Sequence, residues 1–331
     1  MTILITGGAG YIGSHMAHHL LGTGEKIVVL DNMVTGVKKN VPEDVTFVKG
    51  DIGDEALVSD LLAAHGIDSV IHFAGSVVVP ESVENPLYYY ANNTAAARTL
   101  IAACVKNGVS NFIFSSTAAV YGSPPVVPVA EDGPTIPVSP YGRSKLITEW
   151  ILQDVAAAHP IKYGILRYFN VAGADPQGRT GQSTPRATHL IKRACEVATG
   201  KIPHLTIYGT DYETPDGTGV RDYIHVSDLV DIHERVLQYL RDGGPSVLFN
   251  CGYGRGFSVR EVAAEVGRVN GKPLAIEYAP RRPGDLGIVV AQTAKLTKTL
   301  GWTPKYQDLE TIVKTALTWE RRVRDEMDAK V

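Results

Sequence analysis

Thr6-Gly7-Gly8-Ala9-Gly10-Tyr11-Ile12-Gly13 lies near the start of the chain, between an apolar run, Ile3-Leu4-Ile5, and a stretch with helical spacing. The run is short and rich in β-branched residues, which predicts a buried strand. Behind the glycines, Met16, Ala17, Leu20 and Leu21 follow Ile12 at the spacing of one helix face, and Gly22 and Gly24 offer a stop. A strand, a glycine-rich turn and a helix start make a phosphate cradle. The glycines permit a tight turn and close approach of a pyrophosphate, and the unpaired N–H groups of the helix N-terminus point at the anion. Asp31, at the end of the next strand (Lys26 to Leu30), is placed to accept hydrogen bonds from an adenosine ribose. Its charge would repel a 2′-phosphate, so the expected dinucleotide is NAD rather than NADP.

A chain of 331 residues exceeds what one core usually supports, so two domains or one large α/β unit are expected. Hydrophobic residues, at 44%, suffice for a large core, and a net charge of −3 supplies no pull towards nucleic acid or an anionic membrane. Cys104, Cys195 and Cys251 are widely spaced and odd in number, which argues against a disulfide framework or a zinc cluster, and no metal is expected. Met1 to Ile5 reads as a first strand rather than a leader, and no apolar run approaches the ~18–20 residues needed to cross a bilayer. A cytoplasmic protein with no membrane or nucleic-acid partner is expected.

The first half alternates strands with helices, which predicts a parallel sheet covered on both faces. Strands are expected at Val45–Val48, Ser69–Phe73, Asn111–Phe114 and Ile165–Phe169. Helices are expected around Glu55–Ala64 and from Pro86 to a stop at Gly108, and a Pro-rich loop, Pro124 to Pro140, precedes another that runs through about His159. Beyond Asn170 the pattern loosens into loops at Asp175–Pro185, Gly209–Gly219 and Pro280–Leu286. Helices near Thr188–Thr199, Ser227–Leu240, Ser258–Val269 and Leu309–Arg321 are separated there by short strands. The expected fold is α/β: a doubly wound parallel Rossmann sheet over 1–170, binding NAD, then a smaller α/β substrate domain over 171–331, with segments free to cross between the two. In such sheets the ligand sits outside the carboxyl ends of the strands. Asp31, Asp51, Gly75, Thr117 and Asn170 all fall there and describe one crevice.

Tyr141-Gly142-Arg143-Ser144-Lys145 sets a phenol and an ammonium four residues apart, on one face of the helix that begins there. A free tyrosine, with a pKa near ~10, is almost wholly protonated at neutral pH. A nearby lysine and a positive nicotinamide ring favour the phenolate, so Tyr141 is a candidate general base. Thr117, closing Ser115-Ser116-Thr117 at a strand end, would hydrogen-bond the same substrate hydroxyl.

The combination of Gly7, Gly10 and Gly13 with Tyr141 and Lys145 resembles the extended short-chain dehydrogenase/reductase family. Longer stretches resemble its UDP-glucose (UDP-galactose) 4-epimerase branch: VIHFAG at 70–75, FIFSSTAAVYG at 112–122, SPYGRSK at 139–145, LRYFN at 166–170, GTGVRDYIHV at 217–226 and APRRPGD at 279–285. Sugar-nucleotide 4,6-dehydratases of the family carry Asp and Glu after the Ser-Thr pair, and UDP-glucuronate decarboxylases carry Glu at the second of these positions. Here Ala118 and Ala119 stand there and cannot transfer protons. The resemblance therefore implies epimerisation of a UDP-hexose, in the glucose/galactose pair and potentially the N-acetylated pair. Tyr141 would deprotonate the sugar 4-hydroxyl while NAD takes hydride, and the 4-keto sugar would turn and be reduced on its other face. Left open are another UDP-sugar such as UDP-xylose/arabinose, a dehydrogenase releasing NADH, and an NAD-sensing binding protein.

The same resemblance implies the ligand contacts. For NAD they are Gly7, Gly10, Tyr11, Ile12 and Gly13, with Asp31, Asn32, Asp51 and Ile52 at the adenosine, and Phe73, Ala74, Gly75, Asn92, Tyr141, Lys145 and Phe169 along the rest. For the UDP-sugar they are Thr117, Tyr141, Asn170, His189, Leu190, Thr206, Tyr208, Arg221, Arg282, Asp285 and Val289. Arg221 and Arg282 suit a diphosphate as forked donors. Val289, four residues after the Asp of RRPGD, occupies a position where a bulky Tyr in the family goes with exclusion of N-acetylated sugars. Two departures stand out: Val77 replaces a frequent lysine near the cofactor ribose, and His189 replaces a frequent Asn. The resemblance also implies a homodimer through the helices near 86–107 and 141–158. Other histidines, His72 and His225 among them, read as packing residues.

Overall fold

The computed structural model of the protein describes residues 1–184, 187–282 and 285–328. Pro283 and Gly284 of APRRPGD, and Pro185 at the end of the loop expected from Asp175, lie outside them. The first half runs β1 (Thr2–Thr6), α1 (Tyr11–Leu21), β2 (Lys26–Asp31), β3 (Thr46–Lys49), α2 (Glu55–His65) and β4 (Ser69–His72). It continues through α3 (Val79–Glu84), α4 (Pro86–Tyr89), a π-helical turn (Tyr90–Ala95), α5 (Ala96–Lys106), β5 (Asn111–Thr117), α6 (Pro140–Ala158) and β6 (Lys162–Tyr168). The second half holds β7 (Asn170–Ala172), α7 (Leu190–Ala198), β8 (Leu205–Tyr208), β9 (Val220–His225), α8 (Val226–Arg241) and β10 (Val247–Cys251). After these come β11 (Gly256–Ser258), α9 (Val259–Asn270), β12 (Ile276–Ala279), β13 (Ile288–Val289), α10 (Ala294–Leu300) and α11 (Leu309–Asp328).

Seven strands form one parallel sheet in the order β10-β6-β5-β4-β1-β2-β3. The residues of β1 show why helices cover both faces. Successive strand side chains point to opposite sides, and Ile3 and Ile5 join a cluster with Met16 and Leu20 of α1 and Ile232 and Val236 of α8. Leu4, between them, joins Val58 and Leu62 of α2, Leu100 of α5 and Leu152 of α6 on the other side. A strand buried on both faces reads as a continuous apolar run, which is the pattern of Ile3-Leu4-Ile5.

Strand order reverses between β1 and β4, the kind of switch point at which α/β sheets bind their ligands. The loop after β1 begins at Gly7 and the loop after β4 at Phe73, whose N–H donates to Thr6 O at 3.0 Å. The remaining strands form two small sheets. In one, β9 pairs with β7, β11 and β13; in the other, β8 pairs with β12. A third cluster, with Ile191, Cys195, Val262, Val266, Ile312 and Leu317, holds α7, α9 and α11 together.

Candidate active site

The glycine turn is built by close approach. Gly7 has φ +69°, and a Cβ there would lie 2.6 Å from Ala74 N. A Cβ on Gly13 would lie 2.3 Å from Gly7 O, so only glycine lets the first turn of α1 settle on the loop. The first bond of that helix runs from Ser14 N–H to Gly10 O at 3.0 Å, leaving the N–H groups of Tyr11, Ile12 and Gly13 ahead of it. Gly10 caps the helix with no side chain, and its first turn carries no acid. The positive end of the helix is thus left for an external anion, and this cradle fits a dinucleotide pyrophosphate.

The predicted adenosine residues converge beside it. Asp31, buried at the end of β2, accepts Ala9 N–H at 2.9 Å and Met33 N–H at 2.8 Å. Asn32 Nδ2 donates to Asp51 at 2.9 Å, and Asp51 also accepts Gly53 N–H at 2.8 Å. Ile52 is buried next to them. At the β4 end, Phe73, Ala74 and Gly75 are half-buried, whereas Val77 is exposed.

Asn92 donates to Ser76 Oγ at 2.9 Å. Its neighbour Asn93, which the sequence reading passed over, is the stronger clamp. Its Oδ1 accepts Ser76 N–H at 2.7 Å, while Nδ2 donates to Ser76 O at 3.0 Å and Ser144 Oγ at 3.1 Å. The helix expected from Pro86 as one unbroken run contains the π turn at this point, and the extra residue per turn brings both asparagines to the loop.

The catalytic candidates meet at the end of β5. Ser139 Oγ accepts Gly142 N–H at 3.2 Å and starts α6, with Pro140 in its first turn. Tyr141 and Lys145 then face the strand end one turn apart. Lys145 Nζ, buried, donates to Ser115 O at 3.0 Å and lies 5.0 Å from the Phe114 ring centre. Burial pushes its pKa down to about 8, against the pull of Glu149 one turn further on. Burial raises the Tyr141 phenol, and a hydrogen bond with the Thr117 hydroxyl works the other way. Within the protein alone, burial outweighs the hydrogen bond from Thr117. Thr117 Oγ1 also accepts Ala119 N–H at 3.1 Å.

Val289 packs in one buried cluster with Ala118, Tyr121, Leu146 and Phe169, which brings it to the same strand end as Thr117. Asn170, His189 and Leu190 line a narrow cleft with Tyr11 and Tyr223, joining the helix start to the β7 side. Thr206 and Tyr208 lie on β8, and the Arg282 guanidinium stands 4.7 Å from the Tyr208 ring centre while pairing with Asp285 at 2.8 Å. Arg221 is directed otherwise than its type suggests. It donates to Leu286 O at 2.8 Å and Gly287 O at 3.1 Å, bracing the segment that leads to Val289. His72 and His225 are buried, His72 against Thr6 Oγ1 at 2.7 Å.

The sequence reading also missed a buried polar layer behind the strand ends. Arg167 pairs with Glu149 at 2.7 Å, Ser116 Oγ donates to Glu149, and Arg167 reaches Tyr121 Oη at 2.9 Å. The available signal was an arginine inside the apolar run Ile165-Leu166-Arg167-Tyr168, since a charge there must find a buried partner.

A family model described as the NAD dependent epimerase/dehydratase family matches residues 3–252. The chain belongs to this family. A UDP-glucose 4-epimerase of Azospirillum brasilense is 55% identical over 319 residues, covering 96% of this chain and 92% of the relative. A UDP-glucose 4-epimerase of Bifidobacterium longum, solved with NAD+ and UDP, superposes with a TM-score of 0.94 at 38% identity, covering 98% of this chain and 99% of that one. The UDP-Glc/GlcNAc 4-epimerase of Campylobacter jejuni superposes with a TM-score of 0.85 at 46% identity, covering 97% and 99%. Membership of the NAD dependent epimerase/dehydratase family agrees with the capless helix start.

Proposed function

We propose that this protein is a UDP-glucose 4-epimerase, an isomerase that interconverts UDP-glucose and UDP-galactose with NAD as resident cofactor. The observation that carries the reading is the meeting of Tyr141, Lys145 and Thr117 at one strand end, beside a helix start with no anion of its own. NAD would lie along Gly7–Gly13, Asp31, Asn32, Asp51, Ile52, Phe73–Gly75, Asn92 and Phe169, and it supplies a hydride acceptor that returns the same hydride. Tyr141 Oη takes the proton of the sugar 4-hydroxyl and later gives it back. Thr117 holds that hydroxyl, and Lys145 adds positive charge that favours the phenolate. Ala118 and Ala119 offer no second acid, so water is not eliminated.

On the substrate side, Asn170, His189, Leu190, Thr206 and Tyr208 would contact the UDP-sugar, and Asp285 its uridine ribose. Arg282 and Arg221 would face the diphosphate, with Arg221 turning from the 286–287 carbonyls to do so. Val289 leaves room at the sugar, which supports acceptance of the N-acetylated pair, and the Campylobacter jejuni relative is named for both kinds of sugar.

We assign residues 1–170 with α8 and β10 to the NAD-binding unit and the rest of 171–331 to the substrate unit. A homodimer through the helices near 86–107 and 141–158 is supported by exposed Leu87 and Tyr88 on α4 and Trp150 on α6, and a sedimentation mass of one chain would count against it. We place the enzyme in the cytoplasm; no described helix is long and apolar enough to cross a membrane. Incubating the purified protein with UDP-galactose should yield UDP-glucose without net NADH. Absence of conversion, or stoichiometric NADH release, would overturn the reading.

A further inference from the structure

His233 lies on α8, outside every motif that marked the site, yet hydrogen bonds that run through Tyr168 and the side chain and carbonyl of Ser115 join it to Lys145. Its Nδ1 meets Leu229 O at 2.8 Å, and since a carbonyl can only accept, that nitrogen carries the proton. The ring is fully buried and held neutral, its pKa pushed down to about 4 by loss of water. Nε2 is therefore a bare acceptor, and the hydrogen-bonding partner it faces is the Tyr168 hydroxyl of β6. With the Tyr168 proton committed to His233, the Tyr168 oxygen is free to accept, and Ser115 Oγ donates to it at 2.8 Å. The carbonyl of the same Ser115 accepts Lys145 Nζ at 3.0 Å. Every member of the chain is buried. On its other side the His233 ring packs on Phe73, at 4.9 Å between ring centres, where the loop after β4 leaves the sheet.

We propose that His233 is a positioning residue for the epimerase reaction, orienting Tyr168 and Ser115 so that the Ser115 carbonyl holds Lys145 beside Tyr141. The direction of the chain matters as much as its presence. Were the imidazole absent, the Tyr168 hydroxyl would have to find another acceptor, Ser115 Oγ being the nearest. Ser115 would then have to turn its own proton elsewhere, and this strand end, still paired with β6 through Ser115 and Leu166, would lose the side-chain anchor beside the carbonyl that holds Lys145. The inference rests on the reading that Lys145 serves Tyr141 in the reaction.

Four variants test it: His233→Phe, which keeps the ring contact with Phe73 and removes the acceptor; His233→Gln, which restores an acceptor oxygen; Tyr168→Phe; and the His233→Phe/Tyr168→Phe pair. His233→Phe should lower kcat about tenfold, the order of one lost hydrogen bond, with KM for UDP-galactose within about twofold. His233→Gln should recover most of the loss. The double variant should be no slower than the slower single one, because both act through one chain. Unchanged kcat in His233→Phe, losses that multiply in the double variant, or His233→Gln no better than His233→Phe would overturn the proposal. A second readout does not need epimerase activity: the rate at which a small acylating reagent labels Lys145, followed by peptide mass spectrometry. Labelling should be several-fold faster in His233→Phe and near wild type in His233→Gln, and equal rates in all three proteins would refute the positioning role. Wild-type protein inert on UDP-galactose but showing this labelling pattern would sink the epimerase reading and leave the positioning of Lys145 standing.

Discussion

In the proposed reaction Tyr141 is the base, and its surroundings set opposing demands. Burial raises its pKa, the Thr117 hydroxyl lowers it, and the Lys145 ammonium one turn on gives a hydrogen bond to Ser115 O. Tyr141→Phe removes only the proton acceptor, so the melting temperature should stay put while kcat falls by about 10²–10⁴-fold, the usual general-base contribution. Steady-state kinetics decide it, and near-normal turnover would move the base elsewhere. Val289→Tyr should act on selectivity instead. Val289 is buried among Ala118, Tyr121, Leu146 and Phe169, and a ring added there would overpack this cluster at about 1–3 kcal/mol. Measuring kcat/KM for UDP-galactose and UDP-N-acetylglucosamine should show the N-acetylated substrate losing more; equal losses would refute a role for Val289 in sugar selectivity. The placement of Tyr141, Lys145 and Thr117 at one strand end was legible because a helix period and a strand end are local patterns. The direction of Arg221 was not, because its carbonyl partners lie 65 and 66 residues away, across the β9–β13 pairing.

Among the elements, the first turn of α1 and the start of α6 do most to shape the site. Gly13→Ala would press a Cβ to 2.3 Å from Gly7 O, a backbone atom with little freedom to retreat. The variant should lose bound NAD during gel filtration, and a protein that still releases about one NAD per chain on denaturation would contradict the cradle. In α6 the cap is Ser139, whose Oγ accepts Gly142 N–H just ahead of the catalytic face. Ser139→Ala should cost about 1 kcal/mol of stability and lower kcat as well, because Tyr141 sits in the turn that the cap fixes. Stability lost with kcat unchanged would show that Tyr141 is held by its other contacts. Strand–turn–helix units were readable from the sequence because each is set by neighbours in the chain. The π turn at Tyr90–Ala95 was not, since it departs from the helical period by which residues are assigned to faces.

Across the whole molecule, buried neutral histidines link stability to pH. Burial pushes His72 and His225 down to about 3 and His15 and His233 down to about 4. An unfolded histidine takes up its proton near ~6.5. Between there and the native values the unfolded chain binds more protons, so stability is full above ~6.5 and is lost on acidification, by about 1.4 kcal/mol per pH unit per histidine. Urea midpoints should fall steeply from pH 7 to pH 5 at constant ionic strength, and a flat profile would contradict this.

The large sheet has a further consequence, in the order of its making. Its β10 strand is placed against β6 but follows it by roughly 80 residues, a gap that takes about 4–16 s to synthesise at about 5–20 residues per second. Until then, β6 emerges from the ribosome as an open edge, its backbone groups unpaired on the side that β10 will cover. The nascent first half therefore passes through an interval in which another chain, or a second copy of itself on the same message, could pair where β10 belongs. Biosynthesis of this enzyme thus contains a waiting period that holdase chaperones are suited to cover, and it closes only when Val247–Cys251 arrives.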